Sequence, residues 1–178
     1  WNLQRKNFMN DIVFEYLEKE SFSVNAPHLF SILHANMTLI APTGNSYEED
    51  YKCWRDAFGS AFVQQEERKI ILILSRHRVV GFFCYSVNGD TFRMEEIQII
   101  PDYQGKNGVF RNLYSFVVQN LPENLQYVEA FANKKNIKSL AILDRLGLRI
   151  IGTNRNHTSY HLRGTFDDLL RWLNRSSL

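Results

Sequence analysis

Residues 97–109 read IQIIPDYQGKNGV. An apolar run stops at Pro101, a polar turn with two glycines follows, and a helical pattern opens at Val109. A helix start carries unpaired backbone N–H groups and the positive end of the aligned peptide dipoles. A phosphate can use both where no bulky side chain blocks its approach. Gly105 and Gly108 remove Cβ atoms from the turn, Lys106 adds a positive charge, and Asn107 can cap a helix or take an unusual dihedral. On these residues alone an ordinary connecting turn is the first reading, and strand, pyrophosphate seat and helix the second. Neither GxGxxG nor GxxxxGKS/T is present.

Towards the N-terminus the pattern is a meander. KIILIL (69–74) and VVGFFCYSV (79–87) are strands around the turn SRHR, Asn88-Gly89-Asp90 is a hairpin turn, and TFRMEEIQII is the third strand. Earlier, Ser46 and Glu49 form a capping box for a helix whose stripe continues through Trp54, Ala57, Phe58 and Ala61. FMNDIVFEYLEKE (8–20) is expected as a helix with Ile12, Val13, Tyr16 and Leu17 on one face. A short helix at 26–36, after a break at Pro27, and a strand at 37–41 are expected next.

Towards the C-terminus, Phe110, Leu113, Tyr114, Val117 and Val118 mark one side of a helix. A strand (126–132), a helix from Asn136 to Leu146 closed by Gly147, two short strands (LRIIG, TSYHLRG) and a helix capped by Thr165 complete the order. This predicts one α/β domain over 1–178: a mixed, mostly antiparallel sheet with helices on both faces, and residues 1–36 as an added N-terminal helical segment packed on it. That segment either shapes a substrate pocket or forms a dimer surface.

The 178 residues suffice for one full core. The balance of 21 Lys and Arg against 19 Asp and Glu argues against nucleic acid or an acidic membrane as the main partner. Residues 1–100 carry 10 basic and 13 acidic side chains and residues 101–178 carry 11 and 6, which places an anionic ligand on the second half. Cys53 and Cys84 have no metal spacing and make no disulfide framework. They read as two buried thiols of a reducing, cytoplasmic compartment. No run reaches membrane-spanning length and nothing reads as a signal peptide.

The opening stretch resembles motif A of the GCN5-related N-acetyltransferases (GNAT), which bind acetyl coenzyme A through a Q/R-x-x-G-x-G/A turn between their fourth strand and third helix. Gln104-Gly105-Lys106 matches the opening of that turn, and Ile99-x-Pro101 matches the V-x-P before it. Asn136-x-x-Ser139, with Gly147-Leu148 further on, resembles motif B. The resemblance spans roughly residues 37–163 and implies the GNAT fold, acetyl coenzyme A as acyl donor and an amine of a small molecule or protein as acceptor, with a homodimer open. Two departures stand out. The second small residue of the turn is lost, to Val109 in an ungapped match or to Phe110 with one extra residue allowed. Leu143 occupies the position where many members carry a Tyr thought to protonate the leaving thiolate. A rival follows from both: an acyl-coenzyme A-binding or interaction domain of the same fold without catalysis.

By the same resemblance, backbone amides at Ile99 and Ile100 meet a pantetheine arm lying between splayed strands. Gln104, Gly105, Lys106, Asn107, Gly108 and Val109 surround the pyrophosphate. Asn136 and Ser139 lie at the arm or its carrier helix, with a plain N-cap as the other role of Asn136. Lys134, Lys135 and Lys138 meet the ribose phosphate or form solvated surface. Glu96, three residues before Ile99, matches the general base, with a solvent-facing carboxylate as its other reading. Adjacent strand residues point to opposite faces, so only one of Glu95 and Glu96 is expected on the substrate side. Partial burial is expected to raise the base's pKa towards neutrality. Tyr160 and His161 are candidates for the acid or a proton relay, with Tyr85 behind them; on its own residues His161 reads first as an ordinary surface histidine, and Tyr114 fits the core stripe of its helix.

Overall fold

The structure, a computed structural model, describes residues 12–106 and 108–175. Residues 1–11, with the start of the expected 8–20 helix, and Asn107, one of the expected pyrophosphate contacts, lie outside the described residues, as do 176–178.

KIILIL and VVGFFCYSV are apolar almost without alternation, as strands buried on both faces must be. They form β2 (Arg68–Ser75) and β3 (Arg78–Asn88) inside a seven-stranded sheet. The sheet also holds β1 (Ile12–Tyr16), β4 (Thr91–Ile99), β5 (Tyr127–Asn133), β6 (Arg149–Thr153) and β7 (Ser159–Thr165), in the order β1-β2-β3-β4-β5-β7-β6. Every pairing is antiparallel except β4 with β5. On one face, α1 (Phe22–Thr38), α2 (Tyr47–Trp54), a π-helical turn (Arg55–Gly59) and α3 (Ser60–Gln64) bury Phe22, Leu29, Phe30 and Phe62 against Ile70, Phe82 and Cys84. On the other, α4 (Val109–Val118), α5 (Ile137–Arg145) and α6 (Phe166–Asn174) cover Ile71, Ile73, Phe83 and Phe92, with Leu113, Tyr114 and Leu169 in the core. The Tyr114 hydroxyl donates to Met94 Sδ at 2.8 Å, so this tyrosine is a core residue as its stripe predicts. Of the two thiols expected to be buried, Cys84 is and Cys53, on α2, is exposed.

Three N-terminal expectations are corrected. Residues 12–16 are an edge strand, not a helix: Ile12, Phe14 and Tyr16 turn inwards while Val13 stays half exposed. The segment fits both periods, and the open edge of β2 together with Phe116 of α4, 5.6 Å from the rings of Phe14 and Tyr16, favours the strand. Residues 37–41 form no strand; α1 runs to Thr38, and Leu39 projects into solvent at 85% exposure. Finally, α1 begins at Phe22 and passes through Pro27. Pro27 cannot donate to the carbonyl of Ser23, and burial of Phe22, Ala26, Leu29, Phe30 and Leu33 outweighs that missing bond.

Candidate functional site

β4 pairs with β5 over four residues only, Thr91–Met94 against Tyr127–Ala130. Beyond them the strands part, and the C-terminal half of β4 faces an open gap. Ile100 N–H donates to Val80 O at 2.9 Å. Its amide is therefore spent on β3 and is not offered to a ligand, contrary to the expectation for Ile100. Strand alternation turns the peptide groups of Ile97 and Ile99 the opposite way, into the gap. Ile99 O already accepts from Gln104 Nε2 (2.7 Å) and Asn36 Nδ2 (3.1 Å).

The turn after β4 is open. Gly105 (φ +67°) and Gly108 (φ +64°) both use the left-handed region, and a Cβ built at Gly105 would meet nothing within 4 Å. Gly108 is the N-cap of α4, and Val109, the first helical residue, buries its side chain and donates its N–H to Lys106 O at 3.2 Å. Lys106 is exposed. The side chain of Gln104 bridges towards α5, where Lys138 Nζ donates to its Oε1 at 2.6 Å. Asn136 is the N-cap of α5, accepting from Ser139 N–H at 3.1 Å.

Glu95 breaks the alternation of β4. Cys84 pairs with Glu96 but Tyr85 with Met94, so Glu95 is the extra residue of a β-bulge. Phe92 and Met94 face the α4 side, yet so do Ile97 and Ile99. Both carboxylates consequently lie on the α1 side, and the expectation that only one could do so fails on this bulge. Glu95 is paired: Arg68 Nε lies 2.7 Å away, and Ser86 Oγ donates at 2.7 Å. Glu96 receives one neutral hydrogen bond, from Gln98 Nε2 at 2.7 Å; Gln98 Oε1 in turn accepts from Asn36 Nδ2 at 2.8 Å. Some of Glu96 reaches the surface, but the protein packed around its carboxyl displaces most nearby water. That desolvation, opposed by the Gln98 bond and aided by the Glu95 charge, pushes its pKa up to about 7.

In front of the two carboxylates is a cavity of about 280 Å³, walled by Arg68, Arg93, Phe58 and Phe131. Phe131 stacks on His161 (4.4 Å between centroids, 9° between planes), and His161 Nε2 lies 3.5 Å from Glu129 Oε2. Glu129 also meets Arg93 Nη2 at 3.2 Å and Arg163 Nε at 3.6 Å. The structure thus brings His161 and Glu96 to one face and separates Tyr160 from both. Tyr160 packs into the α4 side of the core, with Lys134 Nζ 5.0 Å from its ring centre. Tyr85 is also on the α4 side, buried, with its hydroxyl 3.0 Å from that of Tyr16. Leu143 packs against the same core.

Arg68, Arg93, Phe58, Phe131, Gln98 and Asn36 escaped sequence reasoning. They come from five separate segments, and no spacing links them. Among the described residues, no helix is long and apolar enough to cross a membrane.

No family model and no curated protein matches the sequence. Solved structures match the fold. An acetyltransferase from Thermus thermophilus is 14% identical with a TM-score of 0.68, over 89% of this chain and 99% of that one. The PaiA N-acetyltransferase of Thermoplasma acidophilum, solved in complex with coenzyme A, is 11% identical with a TM-score of 0.66, over 87% and 99%. A protein from Desulfovibrio desulfuricans assigned to the acetyltransferases of the GNAT family is 12% identical with a TM-score of 0.64, over 87% and 98%. The fold of this chain is that of the GNAT acetyltransferases.

Proposed function

We propose, on the fold this chain shares with the GNAT acetyltransferases, that it transfers an acetyl group from acetyl coenzyme A to an amine, with Glu96 as general base. One observation carries the reading: a desolvated carboxyl, its pKa near neutrality, stands beside the gap where β4 and β5 part. Bound acetyl coenzyme A supplies the chemistry of a thioester, an acyl group activated towards an amine. The open turn fits its pyrophosphate, since Gly105 keeps Cβ atoms out of the approach. Lys106 adds charge there, Lys138 through Gln104 holds the turn against α5, and the Ile99 N–H faces the gap as a donor. Gly108 and Val109 start the helix behind the turn, and Asn136 and Ser139 start the helix across the gap.

An ammonium must lose its proton before it attacks. A carboxyl with a pKa near 7 is about half ionised at neutral pH and can take that proton. His161, on the same face and beside Glu129, can pass it on towards solvent. Tyr160 is on the α4 side of the sheet near Lys134, and its hydroxyl is the candidate acid for the departing sulfur. The second reading, a coenzyme A-binding domain without catalysis, is favoured by Leu143, which offers no proton.

Calorimetric titration with coenzyme A, followed by thiol release from acetyl coenzyme A with a broad amine panel, separates the readings. Binding at micromolar concentrations, about −8 kcal/mol, with amine-dependent thiol release supports the enzyme. Binding without release from any amine supports the second reading. No binding at millimolar ligand excludes both.

A further inference from the structure

The cavity in front of Glu96 is lined by charges of both signs. Resting on the reading of this cavity as an acetyl-acceptor site, we propose that the acceptor is a small amine that also bears an anionic group, carboxylate or phosphate, seated on Arg68 and Arg93. Arg68 Nε is 2.7 Å from Glu95 Oε2, yet it is buried and its N–H is not directed at a hydrogen-bond acceptor. Glu95 Oε1 is occupied by the Ser86 hydroxyl, and Oε2 also receives the Cys84 thiol at 3.5 Å. The guanidinium of Arg68 thus makes no forked pair with Glu95, although that is the geometry in which it binds carboxylates best. Its side chain is only 19% exposed, and its buried Nε has no hydrogen-bond acceptor. An oxyanion in the cavity would offer the guanidinium one.

Arg93 spends one nitrogen on Glu129 and also lines the cavity. Arg68 offsets Glu95 and Arg93 offsets Glu129, so a proton on Glu96 leaves the wall without net negative charge. Such a wall gives a polycation no net attraction. It suits a molecule whose ammonium faces Glu96 and whose anion faces the arginines. Phe58 and Phe131 offer the carbon skeleton apolar sides. A volume of about nine waters, at roughly 30 Å³ each, matches a molecule of amino-acid size.

The test compares matched probes: the protein amino acids against their α-amides, O-phosphoethanolamine against ethanolamine, and spermidine. Thiol release gives kcat/KM, and calorimetry gives binding to the protein with and without coenzyme A. The best anionic amine should exceed its uncharged partner by roughly ten- to a hundredfold, the range for hydrogen bonds to a charged group. Which pair shows the gap identifies carboxylate or phosphate. Arg68→Gln should erase most of that ratio and Arg68→Lys should keep part of it. Arg93→Gln, a more exposed site, should lower the ratio if Arg68→Gln does not fold, as judged by thermal melting. Equal use of both members of each pair, preference for spermidine, or a ratio unmoved in the arginine variants overturns the inference while leaving acetyl transfer standing. If no amine is acetylated, the binding arm decides: anionic probes that bind no better than their partners overturn it.

Discussion

Replacing Glu96 by Gln should change stability in a pH-dependent way. In the folded protein the Glu96 carboxyl keeps its proton up to about pH 7, against an ordinary value of 4.5. The folded state therefore binds this proton more tightly than the unfolded chain. Stability from this group is fully present below about pH 4.5 and is lost as pH rises through 7. The interval from 4.5 to about 7, at 1.36 kcal/mol per pH unit, makes the loss about 3 kcal/mol. Glu96→Gln keeps the shape and cannot ionise. Urea unfolding of both proteins from about pH 4.5 to 8.5 should show the variant gaining about 3 kcal/mol relative to wild type, mostly before pH 7. Activity should run the other way. kcat/KM of wild type should rise through the same midpoint, and the variant should lose roughly 10²-fold in kcat, the size of a general base, with coenzyme A binding unchanged. A stability difference that does not vary with pH would refute the desolvation argument. Full activity in Glu96→Gln would refute the base.

Gln98 donates the one hydrogen bond that favours ionised Glu96, so Gln98→Met should move the midpoint of the pH–rate profile upwards. At Gly81 a Cβ would lie 2.5 Å from Gln98 O, a backbone atom that no rotamer change can move. Gly81→Ala should cost about 1–3 kcal/mol in urea unfolding and weaken coenzyme A binding by displacing the end of β4 at Ile99. Gly105→Val and Gly108→Val force φ near +65° on a branched residue, about 1–2 kcal/mol of strain each. Calorimetry should show both weakening coenzyme A binding; unchanged affinity in both would remove the turn from the site.

The central fold was legible because it depends on local signals. KIILIL and VVGFFCYSV are too uniformly apolar for a surface helix, Asn88-Gly89-Asp90 places its left-handed residue at Gly89, and Gly147 closes α5 at φ +91°. The N-terminal third was misread where a local pattern had two solutions. Ile12 to Tyr16 satisfies helix and strand alike, and only the vacant edge of β2, far along the chain, selects one. The turn at 104–109 and Glu96 were singled out through the resemblance to the GNAT motifs, which the two glycines and the place of Glu96 before Ile99 carry. The cavity wall was hidden because Arg68 belongs to β2, Phe131 to β5 and Phe58 to a helical turn, so that packing alone joins them.

The bulge at Glu95 ties these observations together. Regular alternation would have sent the adjacent carboxylates to opposite faces; the extra residue turns both to the α1 side. Two carboxylates in one place are tolerable only if their partners differ. Glu95 takes Arg68 and Ser86. Glu96 is left with a neutral amide, and the Glu95 charge helps to hold its proton. On the proposed reading Arg68 acts on the site in two ways, once through Glu95 and once through the cavity it lines. Arg68→Gln would leave the Glu95 charge unopposed, which holds the Glu96 proton more firmly for every amine and also repels an anionic amine at a distance. Arg68→Lys keeps a cation beside Glu95 and loses only the planar fork. The part of the ratio between an anionic amine and its uncharged partner that is lost in Arg68→Lys therefore reports direct contact of the guanidinium with the acceptor, and the further part lost in Arg68→Gln reports the charge.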